Sequence, residues 1–558
     1  MSGRRVLTFA APILILSALT AVWIGFQYRS IPGWDESYHG VTALRYAHYI
    51  KNFEFKNFFE ALTFPDAYPP LGHAGMSLGF LVFGSDYHSP RIMTAIAWAL
   101  SIFLASRVSA RIVDSTASGV AQCMTALFGV LCGIGVMSAN AAMLEPWSAL
   151  ATIVSITFFA RAVERPRLIT FLLFGLSLSA GLFVKYNHGP VPIVAIPCLF
   201  IWEKILRFVP RAEVKESVSW RLAAAAFAGL AAPLAWWYLY PWPGGGAELA
   251  EAHRNVTKNF FTSPTAQAGF GIAGLIAYFP FACCHSLVSC IIQLSSIVYF
   301  TFSRTNSIAR FCCLVAAGSI LAVLIYPHRE YRFFLPGLVA LWPLAGAMTA
   351  KAIVHIYNRN RGTGVLAALG LAIVIIATGG AGAVQLYQLF RAGPVDERSL
   401  ANTRNTVAAW TVSYPLLRGR AAEPDARQQI LDAAAKHLDP VQPFAWVGGT
   451  TNDFSRALVR WRLYQLSDRI ECLDRETAIE NHLLFDPGWN ELGFRRWVLG
   501  FPQVVTIFPP DLEFKQSTEY ERLFVKWMPR VTDFQMKAQE SFPIKPDGVR
   551  LISIFVKK

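Results

Sequence analysis

The sequence predicts a polytopic α-helical membrane protein of about eleven transmembrane helices, closed by a C-terminal exocytoplasmic α/β domain. Three observations predict it. The 558-residue chain is 54% hydrophobic, and its apolar runs recur through the first two thirds. Only 15% of its residues are charged, where soluble domains carry about 25%. Its basic residues collect in short loops between the apolar runs.

The runs fall near 6–27, 91–111, 116–138, 143–161, 168–186, 189–206, 221–240, 272–302, 310–326, 333–352 and 363–387. Many approach the roughly 20 residues needed to cross a bilayer core. Segment 272–302 is long enough for a steep tilt or two short helices. The loops RVSARIVD, RAVERPR, EKILRFVPRAEVKESVSWR and KAIVHIYNRNRG carry the positive charge that marks the cytoplasmic side. MSGRR and the apolar run from Val6 to about Phe26 resemble a signal peptide. The run is long for a signal h-region, however, and no small-residue cleavage site stands before IPGWDE. It reads as a retained first helix with its N-terminus inside, and an odd number of spans then puts the C-terminus outside. The localisation that follows is an integral membrane protein of the bacterial inner membrane.

The net charge of +14 could suit nucleic acid. No contiguous basic face is evident, and no nucleic-acid partner is expected. Eight of the nine cysteines lie in or near apolar segments, and only Cys472 is in a polar region. Their spacing suggests neither zinc nor a disulfide framework, so they read as small buried hydrophobes.

Three stretches face the opposite side: the first outer loop 28–90, the segment 241–271, and the link PHREYR at 327–332. Residues 1–390 form the membrane region, and 391–558 are polar enough for a soluble domain of ordinary size. In that tail PFAWVGG, VVTIFPP and VRLISIFVKK read as strands. TNDFSRALVRWRLYQL reads as a helix capped by Asp453 or Asn452. GGTTND lacks the Gly-Lys-Ser/Thr ending of a phosphate loop.

The first outer loop opens with IPGWDESYHG. From Ser37 the sequence has helical character with many aromatics, as in a helix lying at the interface. Pro65, Pro69 and Pro70 then break the chain in FPDAYPPLGH. Asp35 and Glu36 precede the helix, where carboxylates favour its positive N-terminal end. His39 lies four residues after Asp35 and three after Glu36, so the three can share one side of the first turn. Taken alone, the pair also reads as an N-capping Asp with a solvated neighbour.

WDESYHG followed by YPPLGH resembles the N-terminus of the GT-C superfamily of membrane glycosyltransferases, which includes protein O-mannosyltransferases and the lipid A aminoarabinose transferase. That group's hallmark is an acidic pair or Asp-containing motif in the first outer loop, followed by juxtamembrane helices. The resemblance extends over roughly residues 1–390 and more loosely into the tail. It implies a polyprenyl-phosphate sugar as donor, a hydroxyl acceptor on protein, lipid or glycan, and membrane lipids as partners.

An attacking hydroxyl must lose a proton, and a carboxylate within hydrogen-bond reach is the natural general base. The resemblance assigns that role to Asp35, with Glu36 assisting, orienting the acceptor or helping to hold a divalent cation. A single base with no obvious nucleophile favours inversion. The lipid phosphate gains charge as it leaves, so cations should lie near the same face. PHREYRFFLP offers His328, Arg329 and Arg332, and its His-x-Glu-x-Arg-Phe pattern resembles one in some GT-C mannosyltransferases. VKYNHGP offers Lys185 at an outer helix end. Tyr68, in the YPPLGH turn, joins these substrate-binding candidates. MLEPWSAL puts Glu145 at the start of the fourth span, where an ionisable group entering the membrane suggests function. Many superfamily members carry a second acid near there, and the resemblance implies that Glu145 joins Asp35 and Glu36 in the catalytic set and binds acceptor or sugar. Simple alternatives stand beside each: an interfacial basic collar, a snorkelling lysine, a capping glutamate.

Glu36, His39, His73, His88 and His253 are all expected outside, and imidazole with carboxylate suits zinc or manganese. No compact HExxH-like spacing exists, and Glu36 with His39 are the metal candidates. The competing reading is a transporter or flippase of lipid-linked sugars. That reading expects paired half-repeats and broken helices, and no such symmetry is found. A scaffold would leave the acidic pair and HREYR without a role.

Overall fold

The computed structural model describes residues 34–63, 68–185, 188–207, 220–239, 287–302, 307–325, 331–363, 424–442, 444–448, 456–473, 502–508, 533–544 and 548–558, with a few isolated positions between them. The first apolar run, 6–27, lies outside the described residues, as do most of 363–387 and the cap residues Asn452 and Asp453.

Three helices replace the first outer loop: α1 (Trp34–Lys51), α2 (Phe55–Thr63) and α3 (Pro70–Phe83). Pro70 occupies the first turn of α3, where its missing N–H costs nothing. The bundle follows as α4 (His88–Ile112), α5 (Ser118–Val130), α6 (Gly133–Ala139), α7 (Glu145–Glu164), α8 (Leu168–Val184), α9 (Pro190–Arg207) and α10 (Trp220–Leu239). It continues with α11 (Leu287–Phe302), α12 (Ser307–Ile325) and α13 (Leu335–Arg359). A single 3-10 turn, Tyr331–Phe334, leads directly into α13.

Among the described residues four helical stretches are long and apolar enough to cross a membrane: His88–Ile112, Glu145–Glu164, Ser307–Ile325 and Tyr331–Arg359. In the last of these 94% of the apolar window is buried, against 50 to 61% in the other three. α13 is therefore the hub of the bundle, and the other three leave more of their apolar windows exposed among the described residues. Between α8 and α10 the backbones touch. A Cβ on Gly175 would lie 1.9 Å from the carbonyl oxygen of Ala226, and one on Gly229 would lie 2.3 Å from that of Leu172. Small residues at such a crossing supply the close packing that drives helix association in lipid.

Two boundaries differ from expectation. The run 116–138 is divided into α5 and α6, with Gly129, Gly133 and Gly135 clustered at the break. Glycine is a poor helix former, and each one here lowers the cost of interruption. α1 starts at Trp34, so Asp35 and Glu36 belong to its first turn rather than to the segment ahead of it.

The C-terminal part contributes α14 (Pro424–His437), β1 (Phe444–Gly448), α15 (Arg456–Ser467), β2 (Gln503–Phe508), β3 (Phe534–Ile544) and β4 (Gly548–Lys557). The sheet order is β1-β2-β4-β3, with β1 and β2 parallel and the other pairs antiparallel. Three strands are those expected from the sequence, and β3 is additional. Cys472 is buried beside α15, and that burial pushes its thiol up.

α15 packs on α1 in one apolar cluster, which joins Val41, Leu44 and Ala47 to Leu458, Val459 and Trp461. The indole of Trp461 donates to the Ser85 carbonyl at 2.9 Å and lies against Phe80 and Tyr87. Its ring fills the space left by Gly40, where a Cβ would stand 2.0 Å from Cζ3. Gly40→Ala gains about 1 kcal/mol of helix propensity. Displacing a rigid indole in a filled site costs about 1–3 kcal/mol. The expected result is a lower unfolding temperature in detergent, and a raised one would show that the indole yields.

Candidate active site

Glu36 points from the first turn of α1 into the bundle, where Arg91 and a backbone amide hold it. Arg91 of α4 grips it with two N–H groups, Nε to Oε1 and Nη2 to Oε2, the latter at 2.9 Å. The backbone N–H of Ala142 also donates to Oε1, at 3.0 Å. The side chains are 3% and 1% exposed, so this is a buried, bidentate, charge-assisted pair. A carboxylate held this way is fixed in place and paired with a positive charge. Glu36 is a tie between α1, α4 and the α6–α7 link.

Three residues beyond Ala142, Glu145 opens α7 at 1% exposure. Lys185, just past α8, donates to its Oε1 at 2.6 Å, and Arg332 brings Nε to 3.4 Å of the same oxygen. The ring of Phe333 lies beneath both cations, 4.6 Å from Lys185 Nζ and 5.4 Å from Arg332 Cζ. Arg332 also reaches Met143 Sδ at 3.8 Å. Among the described residues two cations thus share one carboxylate at this end of the bundle. The short segment 140–145 joins the two acid sites: Ala142 binds Glu36, Met143 meets Arg332, and Glu145 meets Lys185. The helix geometry explains the meeting, because α7 starts and α8 ends at the same end of their antiparallel pair.

His188 lies in the turn between α8 and α9, 3% exposed, with its ring 6.0 Å from that of Phe333. Burial, and then the Lys185 ammonium, push its imidazole down to about 3. At physiological pH it is neutral, with one N–H donor and one bare nitrogen acceptor.

Of the sequence candidates, Glu145, Lys185 and Arg332 come together, and Glu36 is connected to them through Ala142. Tyr68 packs edge-on against His39, with ring centroids 4.8 Å apart. Asp35 has its backbone in α1, next to Glu36, and its side chain lies outside the described residues. His328, Arg329 and His253 lie outside them altogether.

The metal expectation for Glu36 and His39 finds no support among the described residues. Arg91 occupies both oxygens of Glu36 with positive charge, and His39 Nδ1 lies 2.9 Å from His73 Nε2. His88 faces Asp86 instead. Among the described residues no three His, Cys, Asp or Glu side chains converge as a metal would require. The sequence reading also passed over Arg91, the Ala142 amide and His188. Arg91 did leave a signal: a basic residue at the start of an apolar run.

Residues 67–237 match the family described as dolichyl-phosphate-mannose-protein mannosyltransferase. The undecaprenyl phosphate-alpha-4-amino-4-deoxy-L-arabinose arabinosyl transferase of Pseudomonas savastanoi pv. phaseolicola is 27% identical over 156 residues. That similarity covers 26% of this chain and only 28% of the relative. In structure the chain is similar to ArnT from Cupriavidus metallidurans bound to undecaprenyl phosphate, at TM-score 0.55 and 13% identity over 98% of this chain and 97% of that one. It is also similar to the archaeal oligosaccharyltransferase AglB from Archaeoglobus fulgidus in complex with an inhibitory peptide and a dolichol-phosphate. There the TM-score is 0.54 at 11% identity, over 97% of this chain and 74% of that one. At such identities the likeness is one of fold.

Proposed function

We propose that this chain, a multi-pass membrane protein with the GT-C fold, is a glycosyltransferase that moves a sugar from a polyprenyl-phosphate donor to a hydroxyl acceptor at the outer face of the membrane. The observation that carries the reading is the buried Lys185–Glu145–Arg332 group at the bundle end to which the first turn of α1 is tied. The relatives act on or bind polyprenyl phosphates, and paired cations at a helix-bundle end suit the phosphate of such a lipid.

In this reading Asp35 is the general base. It takes the proton of the acceptor hydroxyl as that oxygen bonds to the anomeric carbon and the bond from carbon to phosphate oxygen breaks. The leaving lipid phosphate gains a negative charge, and Lys185 and Arg332 stabilise that charge electrostatically. Glu36 positions α1 and takes no proton. Tyr68, His328 and Arg329 complete the substrate contacts. The topology that goes with it has about eleven spans, a cytoplasmic N-terminus, a catalytic membrane region over 1–390 and an exocytoplasmic α/β domain over 391–558. The membrane is the bacterial inner membrane, and attack opposite the leaving group inverts the anomeric centre.

The test supplies purified protein in detergent with labelled undecaprenyl-phosphate sugars and a panel of hydroxyl acceptors. Label is expected to pass covalently into one acceptor. Movement of the lipid-linked sugar across liposomes with no covalent product would overturn the reading in favour of a transporter.

A further inference from the structure

Two buried polar groups beside Lys185 are unused by the reaction as described. Glu145 spends Oε1 on its cations, while Oε2 has no hydrogen-bond partner among the described residues. His188 has none at either ring nitrogen. Buried polar atoms are nearly always satisfied, so each exception asks what satisfies it. Both side chains are buried, Glu145 at 1% and His188 at 3% exposure. The turn carrying His188 is fixed by Gly189 N–H to Lys185 O at 3.0 Å and by Val191 N–H to His188 O at 3.1 Å. Glu145 is held by its ion pairs.

The chemistry of the two groups restricts what can meet them. An ionised carboxylate oxygen only accepts, so it repels a phosphate and requires a donor. A neutral imidazole offers one donor and one acceptor. A sugar hydroxyl both gives and takes a hydrogen bond, and neighbouring hydroxyls present both functions a few ångströms apart. A phosphate oxygen suits the adjacent ammonium and guanidinium instead. The two halves of a lipid-phosphate sugar therefore divide naturally over this cluster.

We propose that Glu145 Oε2 and His188 form the sugar-recognition pair of the donor site, binding hydroxyl substituents of the transferred sugar while Lys185 and Arg332 hold its phosphate. This rests on the glycosyltransferase reading and adds to it a specificity-determining residue, His188. The pair should discriminate between glycosylated and bare lipid phosphate, because a site built to hydrogen-bond a hydroxyl loses heavily when the hydroxyl is missing.

The test uses the full chain in detergent and His188→Phe, which keeps a ring of similar shape and removes only the polar atoms. Binding is measured for bare undecaprenyl phosphate, for undecaprenyl-phosphate mannose and for the 4-amino-4-deoxyarabinose analogue. The wild type should prefer one glycosylated lipid over the bare one. In His188→Phe the unfolding temperature should hold or rise, since an unsatisfied buried group has become apolar. Its affinity for bare undecaprenyl phosphate should stay within about twofold, while the preferred glycosylated lipid loses on the order of tenfold to a hundredfold. His188→Gln, which restores a donor and an acceptor, should recover part of that loss. Retained sugar preference in His188→Phe would overturn the proposal. So would equal loss for bare and glycosylated lipid, which would make His188 a phosphate contact. If the wild type binds none of the three lipids, the glycosyltransferase reading itself fails, and the pair falls with it.

Discussion

Asp35→Asn stops sugar transfer while the protein still inserts and folds, with turnover falling by about 10²–10⁴-fold. Asparagine keeps the size and the hydrogen-bonding reach of aspartate and removes only its basicity, so the loss reports proton transfer rather than shape. The neighbouring acid makes a sharp control. Glu36 is already bound by Arg91 and the Ala142 amide, and its replacement acts on structure first. The two substitutions should thus separate: Asp35→Asn leaves the unfolding temperature in place and removes turnover, whereas Glu36→Gln lowers the unfolding temperature. Measurement requires donor saturation, so that kcat and not donor binding is compared. Undiminished turnover in Asp35→Asn would remove the base assignment.

The second large effect concerns Arg91. In Arg91→Ala the Glu36 carboxylate is left at 3% exposure without its guanidinium. Breaking a buried ion pair from one side costs about 3–5 kcal/mol, because the remaining charge has been desolvated without compensation. That is a large share of the 5–15 kcal/mol by which domains are commonly stable. The expected outcome is a markedly lower unfolding temperature and poor recovery from the membrane. Adding Glu36→Ala to Arg91→Ala should restore part of the loss, since the uncompensated charge is then gone. A double-mutant cycle in detergent measures the coupling. Strict additivity of the two changes would show that the pair does not hold α1 in place.

Much of this architecture is legible in the sequence, for a physical reason. Segments that must satisfy their backbone inside a bilayer have to be helical and apolar, and the loops between them carry a charge bias that requires no tertiary knowledge. Strands β1, β2 and β4 were readable because their apolar residues are dense, as in VVTIF and LISIFV. FQMKAQESFPI was not, since its polar residues hide the period and its place in the sheet comes from pairing with β4. In the site, Glu145, Lys185 and Arg332 each stood out singly, as charges at the ends of apolar runs. That they meet around Phe333 is a fact of helix packing, and no local pattern records it. Glu36 stood out for the wrong reason. Its partner is 55 residues away, and the sequence gives no hint that a guanidinium already fills it. His188 was visible within VKYNHGP but had no assigned role, because a buried imidazole without hydrogen-bond partners among the described residues is a property of the folded chain alone.

The contact between His48 and Tyr464 spans 416 residues, and Trp461 reaches Ser85 across 376. Chains are synthesised at about 5–20 residues per second. α1 therefore emerges tens of seconds before the helix that closes over its outer side. Until α15 arrives, the slot at Gly40 has no indole in it, and the helix carrying Asp35 lacks one of its walls. The final position of that helix is settled by a part of the chain made much later, so a nascent polypeptide that ends before α15 holds Glu145, Lys185 and Arg332 without the finished placement of α1.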